Sequence, residues 1–218
     1  MNKLKVKIPT KKISTYLRDF SIVVVGIAVT LWVQSWLTSR SQKNDTALYL
    51  TALKLEMERN CMILDSVLIP TMEKTMKYTR YISMHDKNQL NQDTIRSYIY
   101  VYQNIRDISF LSSAFEMFKT SGNMRFVANK DLLQSIWSIY SGISGFEKWI
   151  NKYYQDKWEE LKKEILLETE GKPVAIPMYD FYRITSQEDG IDDNILHNSK
   201  IYSNQLKEII SEIDKSMQ

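Results

Sequence analysis

Hydrophobic positions crowd into one uninterrupted block near the start of the chain, then recur at intervals of three and four. The block is Phe20–Leu37, FSIVVVGIAVTLWVQSWL, eighteen residues without a charge. As a helix it measures about 27 Å, close to the hydrocarbon thickness of a bilayer. Such a block predicts a membrane-spanning helix, because a helix satisfies its own backbone polar groups where water is absent. It is longer than a signal-peptide core of roughly 7–15 residues, and its best small-residue pair for cleavage is Val33/Ser35, so the segment is read as retained.

Past the block, Leu50, Leu53, Met57, Cys61, Leu64, Val67 and Leu68 share one helical face, with Lys54, Glu56, Glu58 and Arg59 on the solvated side. Residues 39–69 lack Gly and Pro, so the span is expected to run on as a helical stalk. Pro70 steers its predecessor out of the helical region and predicts a break or kink near Ile69. Met72, Met76 and Tyr81 then mark a second helix to about Met84, and the polar stretch His85–Gln92 a loop, with Asp93 as the next cap. In 94–105, Tyr98, Tyr100 and Tyr102 alternate with Ile99 and Val101 as a strand would. No partner strand is in sight for them, so a helix is expected.

Ser113 and Glu116 have capping-box spacing and open a short helix that stops at Gly122. Asn129 or Asp131 starts the next. Its period is carried by Leu133, Ile136, Trp137, Tyr140, Ile143, Ile150, Tyr153 or Tyr154, Leu161 and Ile165. Gly142 and Gly145 interrupt it and mark a close helix contact or a bend. Gly171–Tyr182, with Pro173 and Pro177, reads as an extended connection. A last helix is expected from about Asp189 to Lys215, its inner side being Tyr202, Leu206, Ile209 and Ile213. These elements sum to an all-α chain: a single N-terminal transmembrane helix continuing into a membrane-proximal helical bundle. Six Gly and four Pro agree, being too few for a sheet of many short strands. The expected segments are a basic tail (1–19), the transmembrane helix (20–38) and a helical extracytoplasmic domain (39–218).

Charge adds an orientation. The tail carries Lys3, Lys5, Lys7, Lys11, Lys12 and Arg18 against Asp19 alone, whereas residues 38–60 hold four basic and three acidic residues. The basic excess stays on the cytoplasmic side, which predicts a single-pass inner-membrane protein with a periplasmic C-terminal domain. The six basic residues are candidate contacts for anionic lipid headgroups. Tyr16 and Phe20 at one boundary, and Trp32 and Trp36 at the other, are candidate membrane-interface aromatics. Without the tail, the chain has 23 basic and 25 acidic residues, so nucleic-acid binding has no footprint.

Ile22, Gly26, Thr30 and Gln34 recur every four residues and form a candidate helix–helix contact within the span. Cys61 is the single cysteine. It sits at helical spacing from Met57 and Leu64, as a buried thiol would, the alternative being a disulfide between two chains. His85 and His197 lack any partner at a metal-binding spacing, so they read as surface residues. The carboxylates Glu188, Asp189, Asp192 and Asp193 lack the order of a calcium loop and suit a helix start. No nucleophile elbow, phosphate loop or dinucleotide fingerprint is present. No metal, cofactor or catalytic residue is therefore assigned, and an enzyme is not expected.

Two stretches carry a family resemblance. Val25-Gly26-Ile27 with Trp36, preceded by Tyr16-Leu17, resembles the span of an uncharacterised family of single-span membrane proteins common in Bacteroidota. Ala114-Phe115-Glu116-Met117-Phe118-Lys119-Thr120-Ser121-Gly122-Asn123-Met124 is similar to that family's TFExLKSSGNL signature, with Asp131-Leu132 following. Phe118 departs from its usual Leu, and Trp32 and Ser35 from the usual span residues. The resemblance implies a membrane location and a helical fold but no activity. Sequence thus points to a bilayer-anchored protein whose periplasmic helical domain is an interaction or scaffold module that pairs with itself or with other membrane-complex subunits. The alternative is a periplasmic small-molecule sensor whose ligand lies among the aromatic residues of 94–165.

Overall fold

In the computed structural model, a single helix, α1, runs from Thr10 to Ile63. Residues 10–85, 89, 91, 93–94, 108–167 and 191–217 are described, with side chains outside 10–19, 78–79, 82–83, 157, 160–167 and 191. All described secondary structure is helical: α1, a π-turn at Leu64–Leu68, α2 (Ile69–Met84), α3 (Ser113–Ser121), a 3₁₀ turn at Asn123–Phe126, α4 (Lys130–Leu167) and α5 (Ile191–Ser216). The all-α expectation holds among the described residues. The expected element at 94–105 and the connection at 171–182 lie outside them, apart from Thr94.

The chain divides into two units, Met1–Ala47 and Leu48–Gln218. In the first, every side chain from Phe20 to Ser41 is exposed. This is the one described helix long and apolar enough to cross a membrane, and none of its apolar window is buried.

In the second unit the core draws on every helix. Leu50, Leu53, Met57, Cys61 and Leu64 come from the first helical rod; Phe115 and Phe118 from α3; Leu132, Ile136, Tyr140, Ile143, Ile150 and Tyr154 from α4; and Ile195, Leu206, Ile209 and Ile213 from α5. Helix α5 packs on α2, on the π-turn and on α4. The periodic residues of the sequence reading are mostly inside, with two corrections on the rod. Val67 is exposed, because the π-turn advances the register just there, and Glu56 is buried instead of solvated.

Of the break or kink expected near Ile69, the break does not occur, and the helix is instead widened into the π-turn just before Pro70. Ile69 keeps helical angles (φ −59°, ψ −51°), and its N–H reaches back five residues to the Leu64 carbonyl. Proline lacks the N–H that would continue the ladder, and its ring crowds the carbonyl four residues earlier. Widening one turn to the π pattern absorbs both defects, and α2 starts with Pro70 in its first turn, where a missing N–H costs nothing.

Further along, Asn91 Oδ1 accepts the Asp93 N–H at 2.9 Å, and the segment that Asp93 is expected to cap lies, beyond Thr94, outside the described residues. Helix α4 is capped as expected by Asn129, whose Oδ1 accepts the Leu132 N–H at 3.0 Å. Gly122 stops α3 in the left-handed region, φ 72°, also as expected. The two glycines of α4 differ. A Cβ on Gly142 would stand 3.0 Å from the Tyr202 ring, so α5 approaches closely there, whereas Gly145 faces open space.

Candidate functional site

The residues Ile108–Ser112 form no regular structure, yet Ile108 and Phe110 are buried. Their backbone groups need partners, and no strand is present among the described residues to supply them. Side chains from α1 and α4 take that role. Asn60, fully buried, donates from Nδ2 to the Leu111 carbonyl and accepts the Leu111 N–H on Oδ1, both at 2.8 Å. Asn151 treats Ile108 the same way, donating at 2.7 Å and accepting at 3.1 Å. Each amide imitates the two-bond pairing of a neighbouring strand. Between them, the Glu147 carboxylate accepts the Phe110 N–H at 3.0 Å.

At the end of this segment stands Glu56. Its Oε2 accepts the Ala114 N–H at 2.7 Å, and its Oε1 accepts the Phe115 N–H at 3.3 Å and the Tyr140 hydroxyl at 2.7 Å. A carboxylate from α1 therefore caps α3, meeting the positive end of that helix with negative charge. This corrects the capping-box expectation: Ser113 opens the helix but no side chain of its own segment caps it, and Glu116 pairs with Lys119 at 3.3 Å. Burial raises the Tyr140 phenol well above its ordinary value, and the Glu56 carboxylate it donates to raises it further. Tyr140 stacks on Phe115, ring centroids 4.4 Å apart and 6° from parallel, so the polar knot sits on an aromatic floor.

A second cluster ties α5 to the π-turn. Ser203, buried, donates to Asp65 at 2.6 Å, and Lys207 reaches the other oxygen of that carboxylate at 2.7 Å. Burial works against the charge on Asp65, but the hydrogen bonds from Lys207 and Ser203 outweigh it and hold the carboxyl below its usual range. Cys61 lies beside this cluster, 3.9 Å from the Ser203 carbonyl, and burial pushes its thiol up to about 11. A thiol so raised is nearly all protonated at neutral pH and a poor nucleophile. The buried-cysteine expectation holds.

The residues singled out from sequence fall as follows. Phe20, Trp32 and Trp36 are exposed on α1, and the Arg40 guanidinium lies 5.7 Å from the Trp36 ring centroid. Ile22, Gly26, Thr30 and Gln34 are exposed along one side of the same helix. Thr30 donates to the Gly26 carbonyl at 2.8 Å, and a Cβ on Gly26 would meet nothing. Lys3, Lys5 and Lys7 lie outside the described residues, and the side chains of Lys11, Lys12, Tyr16 and Arg18 do too. His85 is half-buried, its Nδ1 2.8 Å from the Tyr81 carbonyl and its ring against Tyr81, while His197 is exposed.

Among the aromatic residues of 94–165, Phe110, Phe115, Phe118, Tyr140, Phe146 and Tyr154 are core. An open groove of about 230 Å³ runs between α4 and α5, with Glu208 and Glu212 along one wall. Among the described residues, no cluster of His, Cys, Asp and Glu is arranged to hold a metal ion.

Sequence reasoning missed Glu56, Asn60, Glu147 and Asn151. The signal was an asparagine in mid-helix, a poor helix former that gains only if its amide has work elsewhere. Comparisons of the chain with protein-family models, with curated proteins and with solved structures return no match.

Proposed function

We propose that the chain is a single-span inner-membrane protein, with its basic N-terminus in the cytoplasm and residues 39–218 in the periplasm as an interaction module. The observation that carries this reading is the exposure of Phe20–Leu37: eighteen uncharged residues whose side chains find no protein to pack against. Apolar patches of that extent are rare on soluble chains, and lipid is the solvent that suits them. Arg18 and Asp19 below and Arg40 above bound the apolar stretch, and Trp32 and Trp36 occupy the depth where indoles prefer to sit.

The interaction role rests on how the described side chains are employed. Cys61, Ser203, Asp65, Tyr140 and Glu56 all spend their chemistry on holding helices together. The resemblance to the single-span Bacteroidota family belongs to the same reading. Its signature-like stretch has a structural rationale in Phe115 and Phe118 packed inward and Gly122 at positive φ.

Carbonate extraction tests the anchor: the full chain stays with the membrane pellet, and recovery in the supernatant would refute the span. Labelling tests orientation. A Ser144→Cys chain reacts with a membrane-impermeant maleimide once the outer membrane alone is opened, because Ser144 is exposed while Cys61 is buried and silent. Labelling only after the inner membrane is breached reverses the topology.

A further inference from the structure

Within the second unit, α1 shows two opposed faces. Leu50, Leu53, Met57, Cys61 and Leu64 turn into the core, whereas Leu48, Leu55 and Met62 stand 69%, 53% and 58% exposed on the other side. These three are spaced by seven. Ala52 and Arg59, also exposed, fall four residues after the first two. This is the frame of a two-helix seam, with Leu48, Leu55 and Met62 at d positions and Ala52 and Arg59 at a positions. Single exposed apolar residues are ordinary on a protein surface. Three large ones in heptad register, opposite a core-facing stripe that already anchors the helix, fit a partner helix of the same period.

We propose that this face pairs in parallel with the same face of a second copy of the chain. The proposal rests on the membrane-anchored reading above, since anchors in one bilayer point both copies the same way. Charge supports this occupant. In a parallel pair, a residue at a lies beside the g residue of the other helix, so Arg59 of each copy meets Glu58 of the other. Arg59 has no ion pair among the described residues, and Glu58 has only a 3.9 Å contact with Lys54. Each copy thus offers one unmatched cation and one weakly engaged anion, related by the twofold axis to their complements. The seam covers about 21 Å of helix, below the roughly three to four heptads that mark a free-standing coiled coil. Shared anchoring supplies the rest, by converting the encounter into a nearly intramolecular one.

The test uses the full chain in native membranes under mild oxidation. Leu48→Cys, Leu55→Cys and Met62→Cys are each expected to give a species of twice the chain's mass in at least half the molecules, with Ser144→Cys as the non-interface control. Arg59→Glu lowers the Leu55→Cys product at least fivefold, and adding Glu58→Arg restores it. Leu48, Leu55, Arg59, Met62 and Ser144 are exposed and Glu58 is half-buried, so the variants leave the core untouched. Products at the three seam positions no more abundant than at Ser144 would overturn the proposal. So would an adduct of any other mass, or one formed between Leu48→Cys and Met62→Cys chains but not by Leu48→Cys alone, which marks an antiparallel pair. Carbonate extraction of the same samples separates the two readings. Anchored chains without dimers reject the pairing and spare the anchor; dimers among extracted chains reject the anchor and uphold the pairing.

Discussion

Glu56 accepts three hydrogen bonds from a position with almost no access to water. A buried donor or acceptor left with no partner bears its full desolvation penalty, whereas a group that keeps other bonds loses little beyond the one removed. The two partners should therefore weigh unequally. Tyr140→Phe removes one donor and leaves Glu56 with two backbone amides, for an expected loss of about 1–1.5 kcal/mol. Glu56→Gln places an NH₂ group against N–H groups that need an acceptor, for an expected loss of about 2–3 kcal/mol. Urea unfolding of the two single variants and the double variant measures this, and the double should lose less than the sum because both changes cut the same bond. Strict additivity would mean that the bond contributes nothing. Cys61 gives a second residue-scale prediction. With its thiol raised to about 11 and its side chain inside, it should react with a thiol reagent orders of magnitude more slowly in the folded chain than in urea. Equal rates would place it at the surface.

At the scale of the element, the glycines of α4 separate two effects that sequence leaves fused. Glycine costs a helix interior about 1 kcal/mol against alanine. At Gly145, where an added methyl meets open space, Gly145→Ala should recover about 0.5–1 kcal/mol. At Gly142 the methyl meets the Tyr202 ring at 3.0 Å, and that ring leans on Phe146 with centroids 5.0 Å apart. Gly142→Ala should therefore bring no gain, as thermal unfolding of the pair would show; equal gains would mean that Tyr202 moves aside freely. Helix starts and stops were legible wherever they depend on neighbours in sequence, as with Asn129 before α4 and Gly122 after α3. What sequence misassigned has more than one physical cause. Ser113 and Glu116 have the right spacing for a capping box, but Glu56, more than fifty residues earlier, reaches the free amides first. Pro70 has the right chemistry for a break, but one widened turn lets the rod continue. The strip of Leu48, Leu55 and Met62 was hidden for another reason: a face rich in Lys54, Glu58 and Arg59 reads as solvated until packing shows which side looks inward.

For the whole molecule, the charged ties and the buried neutral groups of the second unit together set a pH window. Asp65 is held below its ordinary range, so its contribution is full above the unfolded value of about 4 and is lost as pH falls through its lower folded value. Lys54 is raised by its hydrogen bond to Asp214, and Lys207 by its hydrogen bond to Asp65. Their contribution is full below the unfolded value of about 10.4 and is lost as pH rises through the higher folded ones. The neutral acids act earlier on the alkaline side. An unfolded thiol ionises near 8.5, while folded Cys61 holds its proton to about 11, so the unfolded chain binds fewer protons between those values and stability falls there. Tyr140, raised by burial, extends the same loss from about 10 upward. The second unit should thus be most stable between about pH 5 and 8 and weaken on the alkaline side first through Cys61. Urea midpoints across pH 4–11 check the window, with Cys61→Ala as the discriminating variant. It lowers stability at neutral pH by removing packing, but it should flatten the decline between about pH 8.5 and 10. If the parent chain and the variant decline in parallel over that interval, the thiol is not sequestered in the folded chain, and the packing of α5 against the π-turn is looser than the Ser203–Asp65–Lys207 bonds require.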